Sequence, residues 1–109
     1  MPYDEDLAER VRDAISMREG ISEREMFGGI GFMLDGNMAC GVIGEDLIVR
    51  LSPEEAERAL AEAHTRPFDF TGRPMKGWIF VAAPGTAADE PLAEWVDAGA
   101  AFAASLPAK

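Results

Sequence analysis

One cysteine, Cys40, and one histidine, His64, are all that the chain offers as thiol or imidazole groups. A lone cysteine cannot close an intramolecular disulfide, so nothing points to an oxidising compartment. One His and one Cys are too few for a zinc site. Basic residues are also scarce: 10 against 20 acidic ones leave a net charge of −10 and a pI near 4.4. Direct binding of DNA or RNA is disfavoured, because phosphate contacts need a basic surface and the field of the whole molecule repels a polyanion. No apolar run approaches the ~18 residues that cross a bilayer. The opening residues Met-Pro-Tyr-Asp-Glu-Asp are acidic where a secretory signal is basic and then apolar. The expected location is the cytoplasm, with no membrane partner.

What is present is the material of one globular domain spanning 1–109, with 48% hydrophobic and 28% charged residues. Its organising stretch runs from Met26 to Cys40. Two apolar runs of strand length flank Asp35-Gly36, the dipeptide that best accepts the positive φ angles of a type I′ hairpin. An uninterrupted register from that turn sets Leu34 opposite Asn37, Met33 opposite Met38, Phe32 opposite Ala39, Gly31 opposite Cys40 and Ile30 opposite Gly41. Gly44-Glu45 has the glycine that a type II′ turn needs first, and it returns the chain along Leu47 to Leu51. The expectation is a three-stranded antiparallel meander.

Side-chain alternation then divides this sheet. Met33, Met38, Cys40, Val42, Leu47, Val49 and Leu51, with Gly29 and Gly31, form an uncharged face expected to meet the helices. Ile30, Phe32, Leu34, Ala39 and Ile48, with Asn37 and Arg50, form a mixed face expected to be partly covered or to contact a partner. A symmetric homodimer through that mixed face is one such expectation, since a half-apolar patch can cover itself.

Around the meander the spacing predicts helices over about Asp4 to Glu19, a short one from Pro53, and about Asp89 to Ser105. Ser52-Pro53-Glu54-Glu55 reads as a capping box with proline at the first helical position. Asp4, Glu5 and Asp6 suit a helix start better than a metal site, because consecutive side chains diverge around a helix. Ile21 to Glu25 reads as a polar connection, and His64 to Lys76 as mostly loop with Phe68 and Phe70 as anchors. Gly77 to Ala83 reads as a further strand. The fold class is therefore α+β: an antiparallel sheet, a meander plus at least one more strand, packed with about three helices.

Gly28-Gly29-Ile30-Gly31 lacks the third small residue of a dinucleotide loop and precedes a hairpin instead of a helix. Cys40 as a nucleophile would need His64 as its base; otherwise it is a small hydrophobe. No cofactor is implied. Between Thr65 and Trp78 the acidic trend reverses, with Arg66, Arg73 and Lys76 against Asp69 alone. Beside Met75 and Trp78, these make either a contact site for an acidic partner or small anion, or a core Trp78 ringed by charge-neutralising groups.

Met26-Phe27-Gly28-Gly29 before Gly31-Phe32, Asp35-Gly36-Asn37-Met38-Ala39, Leu47 to Arg50, Pro67-Phe68, Met75-Lys76-Gly77-Trp78, and Leu92 with Trp95-Val96 resemble, in that order, the N-terminal domain of the TfoX/Sxy family. The likeness spans Leu7 to about Leu106. It implies an α+β domain in a bacterial cytoplasmic protein, standing here without the C-terminal helical domain of full-length members. Those members look like competence regulators, co-activating transcription beside a cyclic-AMP receptor protein. No catalytic residues carry over. The resulting expectation is a non-enzymatic regulatory or protein-binding module with a protein partner, contacting it through Phe32, Arg50, Arg73, Met75, Lys76 and Trp78. The alternative is a small enzyme or ligand-binding protein with a pocket near Gly29, Gly31 and Trp78.

Overall fold

In a computed structural model, residues 3–26, 28–69 and 75–108 are described. Asp4 starts the first helix, α1 (Glu5–Ile15): its Oδ1 accepts the N–H groups of Asp6 and Leu7 at 2.9 and 3.2 Å. The acidic cluster thus acts as a helix start. Leu7, Ala8, Val11 and Ile15 form its buried stripe. The second helix, α2 (Pro53–Ala59), opens on Ser52, whose Oγ accepts the Glu55 N–H and donates to the Glu55 carboxylate. The last, α3 (Asp89–Ala104), follows a 3₁₀ turn over Ala83–Thr86. Arg10 of α1 braces that junction, donating to the carbonyls of Thr86 and Ala87 and to the Asp89 carboxylate.

The strands are β1 (Ile21–Met26), β2 (Gly29–Leu34), β3 (Asn37–Ile43), β4 (Asp46–Arg50), β5 (Thr65–Pro67) and β6 (Trp78–Val81). They form one antiparallel sheet in the order β1-β2-β3-β4-β6-β5. The meander, the further strand and the three helices are as expected. Two short edge strands are additions. Ile21–Met26, expected as a connection, pairs along its whole length with β2. Its four central residues are exposed, so an edge position removed the alternating apolar signal that marks a half-buried strand. Thr65–Pro67 closes the other edge, where proline is tolerated because no neighbour needs its N–H.

Both turns have the required backbone. Asp35 and Gly36 have φ of 50° and 85°, and Gly44 has φ of 57°. The register, however, is not uninterrupted. Leu34 pairs with Asn37 and Met33 with Met38, but Phe32 then pairs with Cys40, Gly31 with Gly41 and Ile30 with Val42. Ala39 is the one extra residue in this ladder, a bulge. An extra residue reverses the alternation beyond it, so the two expected faces are exchanged in part.

The helix-covered face consequently carries Ile30, Phe32, Leu34, Ala39, Cys40, Val42, Leu47, Val49, Ile79 and Val81, all buried with the stripes of α1 and α3 and with Ala56 and Ala59 of α2. Asn37, assigned to the mixed face, is 3% exposed, and its Nδ2 donates to the Pro107 carbonyl at 2.9 Å, holding the segment after α3. Met33 and Met38 move to the opposite, open face. There a second cluster gathers Ile48, Phe68 and Phe80, with Met38, Ile43 and Trp78 packed against it. Gly31 also lies on that side, beneath the methyl groups of Met26 and Met38, and Gly29 abuts the Val42 carbonyl. A close approach of helix to sheet occurs at Gly99 of α3, which meets the Ala39 carbonyl.

Candidate functional site

Ser52 and Pro53 turn the chain from β4 directly into α2, and the positive φ of Gly77 (88°) turns it into β6. A side chain at Gly77 would press on the Leu51 carbonyl oxygen, and the Leu51 N–H donates to the Gly77 carbonyl at 2.6 Å. These two turns hold the N-terminal half of α2 beside the start of β6 and leave a groove between them. Its volume is about 440 Å³. One wall is Pro53, Ala56 and Leu60 with Glu54 and Glu57; the other is Pro67, Met75, Lys76, Gly77 and Trp78.

Three of the expected contact residues therefore meet in one place: Met75, Lys76 and Trp78. Met75 is 43% exposed, and Leu60 across the groove is 38% exposed. Trp78 is both packed and accessible. Its ring lies 5.9 Å from that of Phe68, the Arg50 guanidinium sits 5.2 Å over it, and the residue remains half-buried. Arg50 bridges Trp78 and Phe102, 5.5 Å away. Phe68 is buried, as an anchor should be.

The other expectations end elsewhere. Phe32 is fully buried under the helices, because the bulge at Ala39 turns it inward, and it is unavailable as a contact residue. Arg73 and Phe70 lie outside the described residues. Arg66 is engaged, ion-paired with Asp46 at 2.7 Å and stacked over Phe80 at 4.4 Å. The alternative pocket near Gly29, Gly31 and Trp78 is not formed by those residues: β3 and β4 separate β2 from β6, and the space above the glycines is filled. Cys40 is sealed within the core, and burial alone pushes its thiol up to about 12. His64 is exposed, with φ of 68°, where its carbonyl accepts the Ala82 N–H. A thiol held protonated by burial is not an activated nucleophile.

Leu60, Glu54 and Glu57 are the groove residues that the sequence pattern did not single out. Leu60 sits in the apolar spacing of α2, which reads as core until the helix is seen to end at Ala59 and leave Leu60 as its cap.

Comparisons with curated proteins and with solved structures return no match. The sequence profile described as the TfoX N-terminal domain matches residues 13–103, which includes every strand, α2 and nearly all of α3. The chain belongs to the TfoX N-terminal domain family.

Proposed function

We propose that this chain is a non-enzymatic, protein-binding module that serves transcriptional regulation through a protein partner, and that it engages this partner at the groove between α2 and β6. Family membership supports a regulatory type of domain. The observation that carries the reading is the facing exposure of Leu60 and Met75 across one groove beside Trp78. Large apolar side chains flanking an aromatic wall form the sort of patch in which interface energy concentrates. A net charge of −10 argues for a protein, not a nucleic acid, as the direct partner.

The test is recovery of bound proteins from native extract of the source cell. Leu60→Glu and Met75→Glu lose a specific protein that wild type retains, whereas Met17→Glu, at a residue 92% exposed and outside the groove, keeps it. Equal capture by all variants rejects the groove as the contact surface. Sedimentation of wild type over the micromolar range, run in parallel, reads whether a second copy is itself a partner.

A further inference from the structure

We infer that the groove's occupant is a short cationic, amphipathic peptide segment, with an apolar side chain seated between Leu60, Met75 and Trp78 and Arg or Lys side chains reaching Glu54 and Glu57. This rests on the reading of the groove as the partner surface and specifies what binds there. The apolar part follows from the walls. Pro53, Ala56 and Leu60 recur along one side of α2 and face Pro67, Met75 and Trp78, in a volume at the small end of the ~300–1,000 Å³ range of binding pockets. Such a space admits one or two large side chains of a segment lying along it.

The cationic part follows from charge. Glu54 and Glu57 lie three residues apart on the same lip, both exposed, and neither forms an ion pair among the described residues. Glu55, which lies between them in the chain, is engaged by the Ser52 hydroxyl. Like charges at this spacing repel along the helix, and a cation between them relieves that repulsion. Among the described residues the opposite lip holds one cation, Lys76, which meets a backbone carbonyl of the bound segment. Among the described residues an acidic segment would face two carboxylates for one ammonium, within a field of net charge −10 that already attracts cations.

The experiment titrates the intact chain against a fluorescein-labelled peptide carrying two leucines one helical turn apart and arginines on the adjoining face. Two further probes are a scrambled peptide of the same composition and a version with glutamate in place of arginine. The ordered arginine peptide binds best, and its affinity falls about tenfold or more in both Leu60→Glu and Glu54→Lys/Glu57→Lys. Glu94→Lys/Asp97→Lys makes the same change in net charge at the same spacing on exposed positions of α3, and it leaves binding within about twofold. Circular dichroism and melting confirm that each variant is folded.

Equal binding of the scrambled peptide, or equal weakening by the α3 variant, overturns the inference, since either means attraction by the whole-molecule field alone. Tighter, Leu60-dependent binding of the glutamate peptide also overturns it, while leaving the groove as the contact surface. If no peptide binding depends on Leu60 but capture from extract does, the cationic occupant is wrong and the groove reading survives. If neither depends on Leu60, both fail.

Discussion

Gly99 of α3 lies against the carbonyl oxygen of Ala39, the bulged residue of β3, with no room between them for a methyl group. The bulge and the helix are therefore one device. The extra residue displaces the strand locally, and the missing side chain lets the helix follow it, bringing Val96, Ala100 and Ala103 onto Cys40 and Val49.

On helix propensity alone, Gly99→Ala should stabilise by about 1 kcal/mol. Against a backbone atom that cannot retreat, overpacking costs about 1–3 kcal/mol, and the expected net result is a loss of stability. Ala101→Gly, at an exposed position on the same helix, loses about 1 kcal/mol from propensity only. Urea midpoints decide: a more stable Gly99→Ala variant removes the close approach from the account of the fold.

Arg12 of α1 holds Glu23 of β1 through two hydrogen bonds, Nε to Oε2 at 2.6 Å and Nη2 to Oε1 at 2.9 Å. These bonds to Arg12 hold the Glu23 carboxyl below its ordinary value of 4.5. A carboxyl depressed in the folded state stabilises fully above its unfolded pKa and ceases to do so as pH falls through the folded value. Glu23→Gln is accordingly less stable than wild type at pH 7, by about 0.5–1 kcal/mol for so solvent-screened a pair. The two stability curves converge as the solution is acidified below 4.5. A difference that persists unchanged in acid assigns the effect to packing instead.

The β1 edge resists pairing with its own copy. A two-fold axis through the sheet keeps both helix layers on one side, so it pairs positions of the same parity: Arg24 with Arg24, and Glu23 with Glu25. Centring the axis on Glu23 or Glu25 also sets like charges opposite each other. Charges on an exposed edge are a known defence against sheet extension. Arg24→Val/Glu25→Thr removes it, and sedimentation equilibrium shows stronger self-association than for wild type. Unchanged association means that these charges do not guard the edge.

Cys40 reacts with thiol reagents only through unfolding. Its burial and its raised pKa leave neither access nor thiolate near neutrality. Labelling at pH 8 therefore tracks the global unfolding rate, accelerates toward the denaturation midpoint and is indifferent to His64→Ala. Fast labelling of native protein, slowed by that substitution, revives the nucleophile reading.

The sequence was most legible where a local rule needs particular residues. Asp35-Gly36 and Gly44 announce their turns because few residues accept positive φ, and Ser52-Pro53-Glu54-Glu55 announces a helix because its cap is made within four residues. Ile21–Met26 was not legible, since an edge strand with Ser22, Glu23, Arg24 and Glu25 exposed buries too little to impose a pattern. Of the expected contact residues, Met75, Lys76 and Trp78 line one groove, and Phe32 was misplaced by a single uncounted residue.

Chain chemistry by itself determined the class of fold, the two hairpins and the three helices, because each rests on spacing and turn preferences local to the chain. Tertiary structure decided which side of the sheet each residue faces. The bulge at Ala39 is matched by Gly99 of α3, a contact sixty residues distant in the chain, and that one displacement sends Phe32 inward and Met38 outward.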